Sequence, residues 1–229
     1  MDTENLYWDK VWTSKDISLI TLIILIIFAL SISLAILLKT EPAYKSLIID
    51  FGLFLSITTT FFIYTKSKKI SLEKIGFGEM KVKWLFASIA LAFGVIAIGG
   101  VLSSALSNLL NIESTGLQGI QAIASDKLWL NLLNFKLLVA ILIPIAEELY
   151  FRGILFRFIR QNKSFIWSAL ASSLIFSSIH FSPSSIPFTF LLGFSSAFLF
   201  EKSKSIFPSF FLHIAVNNLV ANLILFGLL

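Results

Sequence analysis

With 229 residues, 57% of them hydrophobic and 14% charged, and a mean hydropathy of +0.90, the chain carries more apolar surface than a water-soluble core absorbs. The formal charge of +5 comes from lysines and arginines scattered between apolar segments, which argues against a nucleic-acid binder and for positive-inside topology. The absence of cysteine excludes disulfides, Cys-ligated zinc and a thiol nucleophile.

Residues 1–16 mix Asp2, Glu4, Asp9 and Asp16 with Lys10 and Lys15, unlike the short basic start of a cleaved signal peptide, so the first apolar segment is expected to stay in the protein. Apolar runs follow at about 17–38, 46–65, 84–110, 135–160, 164–181, 186–200 and 206–228. Since about 20 apolar residues cross the roughly 30 Å of hydrocarbon, these predict an all-α, polytopic transmembrane bundle of about seven helices. Residues 1–134 hold the N-terminal helices and loops, and residues 135–229 hold the core with the candidate site, within one membrane domain. A cytoplasmic N-terminus places thirteen basic residues inside (Lys10, Lys15, Lys66, Lys68, Lys69, Lys74, Lys81, Lys83, Arg157, Arg160, Lys163, Lys202 and Lys204). It leaves four outside, Lys39, Lys45, Lys127 and Lys136, which predicts N-terminus in and C-terminus out. The loop 66–83 is the most basic, with Gly76 and Gly78 marking a turn. The stretch 111–134, carrying Glu113, Asp126 and Lys127, reads as a partly interfacial connection on the outer side.

The first three apolar runs hold almost nothing ionisable, whereas the C-terminal half places Glu147, Glu148, Arg152, His180, His213 and Asn217 within apolar sequence. Such groups are costly in lipid and must face the bundle interior or a wet cavity. Glu148 and Arg152 are four apart on one helix face, which predicts an ion pair. Glu147 points about 140° away from Arg152. A buried carboxylate without a cation suits a general acid or base, and equally a hydrogen-bonded structural acid. Pro144, three residues earlier, should bend the helix, as an ordinary kink or as an opening for water. Phe176 and His180 share a face of the next helix, and a lone histidine there is more often a packing residue than a catalyst. A turn near residues 161–163 would bring Glu147 and His180 to similar depth. His213 and Asn217, four apart on the last helix, face one cavity together, although His213 lies only about 10 Å from Ile206 along its helix. Pro208, a tilt or a deep 201–205 loop would have to close that gap. Asn218 and Asn222 share another face and need not be functional.

Taken in order, Glu147-Glu148-x-x-x-Arg152, Phe176-x-x-x-His180 and His213-x-x-x-Asn217 resemble the CAAX prenyl protease and bacteriocin-processing family of intramembrane proteases, also called the Abi family. The resemblance covers about residues 135–220. It implies peptide-bond hydrolysis within or at the edge of the membrane, with Glu147, His180, His213 and Asn217 as catalytic residues and Glu148 and Arg152 as their neighbours. Two chemistries fit. In one, Glu147, assisted by His180, deprotonates the attacking water while His213 and Asn217 stabilise the oxyanion. In the other, Glu147, His180 and His213 hold a divalent metal such as zinc, and Glu148 would have to serve as base unless its pairing with Arg152 prevents it. The absence of a His-Glu-x-x-His signature favours the first.

The rivals are a proton-coupled transporter, since Glu and His chains inside membranes also relay protons, and a non-enzymatic immunity or scaffold protein, a role also linked to this family. The partners implied are the lipid bilayer and a peptide or protein substrate. The compactness of the chain points to a prokaryotic cell membrane.

Overall fold

In a computed structural model, residues 7–112, 130, 132 and 134–225 are described. Among them lie seven long helices: α1 (Ser14–Leu37), α2 (Pro42–Ser67), α3 (Val82–Leu110), α4 (134–160), α5 (Phe165–Ser178), α6 (Ile186–Ser203) and α7 (Phe207–Leu225). No strand occurs among the described residues. The chain is thus the polytopic helix bundle its hydropathy predicts. Four helices are long and apolar enough to cross a membrane, namely α1, α2, α3 and the Pro183–Ser203 segment that contains α6, which makes this an integral membrane protein. Most of the connection predicted at 111–134, including Glu113, Asp126 and Lys127, lies outside the described residues.

Helix ends follow local chemistry. Thr13 caps α1 in a reciprocal capping box with Asp16, and Pro42 sits in the first turn of α2, where its missing N–H costs nothing. Helices α1 and α2 approach closely at Gly52, where a methyl group would sit 2.3 Å from Ser31 Cβ. Helix α4 is continuous but not uniform. Its stretches Asn134–Leu142 and Leu149–Phe156 are π-helical, and the α-helical turn Ile143–Glu148 between them begins one residue before Pro144. The proline therefore marks a change of helix type, a feature that recurs at functional sites.

Helix α5 is shorter than its apolar run. It ends at Ser178, with Ile179 as its cap, and Phe181 takes a left-handed conformation at φ 50°. His180 consequently lies just past the helix, in the turn toward α6.

Between α6 and α7 the chain dives inward. Lys204 turns through φ 57°, and Ser205 and Ile206 are completely buried. Ile206 N–H donates to Gly76 O at 2.8 Å, pinning the basic loop to the start of α7. Gly76 itself has φ 106°, and a Cβ there would meet Phe200 at 2.6 Å, so only glycine fits.

The N-terminal segment completes this end of the bundle. Trp8 makes edge contacts with Phe156 and Phe200, and the fully buried Trp12 donates through Nε1 to Gly153 O of α4 at 2.9 Å.

Candidate active site

The two glutamates at the centre of α4 have different fates. Glu148 is wholly buried, with Oε2 3.0 Å from Arg152 Nε, one helical turn along. The arginine is equally buried, and its Nη2 donates to Gly193 O of α6 at 3.0 Å. Its guanidinium also lies over the Phe176 ring of α5, 5.4 Å from the centroid. The predicted Glu148–Arg152 pair is thus present and ties three helices together. Two charges so enclosed persist only because each compensates the other.

Glu148 has a second partner that its spacing did not announce. Its Oε1 lies 2.9 Å from His213 Nδ1 of α7. An ionised carboxylate accepts, so Nδ1 carries the proton and Nε2 is left pointing elsewhere. Elsewhere is Glu147, whose Oε2 stands 3.6 Å from His213 Nε2. Glu147 keeps 13% of its side chain exposed, where Glu148 keeps none. One imidazole therefore bridges two carboxylates, one sealed and charge-compensated, the other open to the site.

His213 reaches this depth because the 201–206 connection is sunk into the bundle, with Glu201, Ser205 and Ile206 all buried. That supplies the displacement which helix rise alone left short.

The remaining candidates surround this centre without touching it. His180 is exposed; its Nδ1 is paired with Phe176 O at 2.8 Å and its ring packs against Phe176, centroids 4.8 Å apart. The other side of the contact chain is His213, 5.7 Å from the same phenyl ring. Phe176, a motif position to which the sequence assigned no role, thus stands against both histidines and Arg152. Asn217 donates through Nδ2 to Val139 O of α4 at 3.1 Å, and Asn218 makes the parallel bond to Ala140 O. Both asparagines clamp the π-helical part of α4 to α7, and Lys136 of α4 also donates to Asn222. Among the described residues no three His, Asp or Glu side chains converge as a metal site. His213 Nε2 and Glu147 Oε2 face each other, but the candidate third ligand, His180, is engaged with Phe176. The donor set does not close around a metal in this arrangement.

Residues 129–219, which span this whole constellation, match the family model described as "Type II CAAX prenyl endopeptidase Rce1-like". That match agrees with the resemblance to the CAAX prenyl protease and bacteriocin-processing family carried by the ordered motifs. A Bacillus subtilis (strain 168) protein named "Putative membrane peptidase YdiL" is 34% identical over 77 residues, covering 34% of this chain and 32% of that protein. The chain is thus matched to about a third of that relative's length. No solved structure matches it. The matched segment begins just before α4 and ends within α7, so the helices that carry every candidate side chain lie inside it.

Proposed function

We infer that this chain is an intramembrane endopeptidase whose attacking water is activated by Glu147. The observation that carries the reading is the bridge at His213. Glu148, neutralised by Arg152, fixes one ring nitrogen, and the other nitrogen faces the carboxylate that remains accessible.

In this mechanism Glu147 takes a proton from water as the oxygen attacks the scissile carbonyl, and returns it to the amine nitrogen as the C–N bond breaks. His213, held in register through Nδ1, donates from Nε2 to the developing oxyanion once that nitrogen is protonated, and Asn217 adds a second donor on exchanging its bond from Val139 O. His180, one aromatic ring away from His213, would assist Glu147 on leaving Phe176 O. The substrate is a peptide or protein segment reaching the site from the membrane, a prenylated or bacteriocin-type peptide being the class its family suggests, and the setting a prokaryotic cell membrane with the N-terminus inside.

Glu147→Gln keeps the size of the side chain and removes its basicity. Proteomics of membrane peptides from cells expressing wild type or Glu147→Gln should show a set of cleavage products present only with the wild type. Identical product sets from wild type, Glu147→Gln and His180→Ala would overturn the peptidase reading.

A further inference from the structure

On the face of α4 opposite its catalytic carboxylate lies a groove of about 240 Å³ with no polar lining. One wall is the α2 row Phe54, Thr58 and Phe62, and the other is Leu142, Ile145 and Leu149 of α4. Thr58 does not interrupt the apolar wall, because its hydroxyl donates to Phe54 O at 2.6 Å within the helix. Phe77 and Phe210 close one end. Phe77 is held there by ring contacts to Phe61, Phe62, Phe207 and Phe210, on the loop that Gly76 pins to α7.

The dimensions and the charge at the closed end both point to one occupant. Phe54 to Phe62 spans eight residues, about 12 Å of helix, and Leu142 to Leu149 about 10 Å. Each is close to the hydrocarbon depth of a single leaflet, about 15 Å. The row 54–58–62 continues at the same four-residue step to Lys66, so the lysine stands directly beyond the end of the wall. Lys74 lies three residues before Phe77, in the short turn Glu73–Ile75, and both lysines are exposed. Lys68, by contrast, is engaged with Asp16 at 2.9 Å.

We propose that this groove holds one acyl chain of an anionic phospholipid, with the headgroup phosphate on Lys66 and Lys74. The site is separate from the catalytic bridge and does not depend on the peptidase reading, because Ile145 and Leu149 point away from Glu147 on the α4 wheel.

Native mass spectrometry of the full chain from detergent, titrated with phosphatidylglycerol or phosphatidylcholine of identical chains, tests this without reading cleavage. Each lysine near an anionic headgroup contributes about five-fold, so the two give a preference for phosphatidylglycerol of about 25-fold. Lys66→Gln with Lys74→Gln should bring the two lipids level. Thr58→Phe, which fills the groove, should lower occupancy by both lipids, whereas the isosteric Thr58→Val should not. Equal binding of the two lipids by the wild type, or a preference that survives loss of both lysines, overturns the proposal. Displacement of phosphatidylglycerol by a neutral isoprenoid alcohol would also overturn it, by assigning the groove to another lipid. If Thr58→Phe fails to elute as the wild type does, the surface lysine pair decides alone.

Discussion

Arg152→Met removes the cation from a wholly buried pair while keeping an unbranched side chain of comparable length. The variant leaves the Glu148 carboxylate sealed in the bundle without its 3.0 Å partner, and leaves Gly193 O without the donor that reaches it at 3.0 Å. Breaking a buried pair from one side costs about 3–5 kcal/mol, because the other charge stays behind. At about 2–4 °C per kcal/mol for a chain of this size, 4 kcal/mol corresponds to a loss of about 8–16 °C in melting temperature, measured by thermal unfolding in one detergent. The double variant Glu148→Gln with Arg152→Met removes the stranded charge as well. Its glutamine oxygen still accepts from His213 Nδ1, so more than half of the loss should return. Arg152→Lys should not rescue fully, since a single ammonium cannot span Glu148 and Gly193 O as the planar fork does. A fall below about 4 °C for Arg152→Met, or a double variant no more stable than the single, would refute the reasoning that this pair holds α4 to α5 and α6.

Trp12→Phe keeps the ring in its site but loses the buried bond to Gly153 O, which should cost about 0.5–1.5 kcal/mol in the same unfolding assay. Tyr7 donates to Lys204 O at 2.8 Å, and burial pushes its phenol from 10.0 up to about 12, against the lowering effect of Arg157. The fold holds the neutral phenol, so its contribution is complete below pH 10 and is lost as pH rises through about 12. Tyr7→Phe should therefore flatten the alkaline part of the stability profile between those values, and an unchanged profile would show that another group governs it. Because the Glu147, His180 and His213 donors do not close into one set, peptide cleavage by the purified protein should persist after dialysis against a strong zinc chelator. Stoichiometric zinc whose removal abolishes cleavage would show instead that His180 leaves Phe176 to complete a metal site.

What the sequence made legible is what depends on neighbours along the chain. The seven helices follow from seven apolar runs, four of them giving helices long and apolar enough to cross hydrocarbon, and the Glu148–Arg152 pair follows from a four-residue step on one helix. His213 shows where that logic stops. Counting from Ile206 leaves it too shallow to meet α4, and it meets both glutamates only because residues 205 and 206 are buried. Their burial depends on Gly76, more than a hundred residues earlier, accepting from Ile206 N–H, while Trp8 packs against Phe156 and Phe200 beside them. No local pattern encodes such an arrangement.

The same distinction explains why a helix count could not separate a peptidase from a proton relay. A relay needs titratable groups in a row; hydrolysis needs one open carboxylate beside a donor whose orientation is fixed from behind. Glu148 supplies that fixing by accepting from Nδ1 through one oxygen while Arg152 holds the other. Glu148→Ala removes that acceptor, so on the proposed mechanism, in which His213 acts on the transition state, cleavage should fall in kcat with KM nearly unchanged. A rise in KM alone would place His213 in substrate binding and remove it from the chemistry.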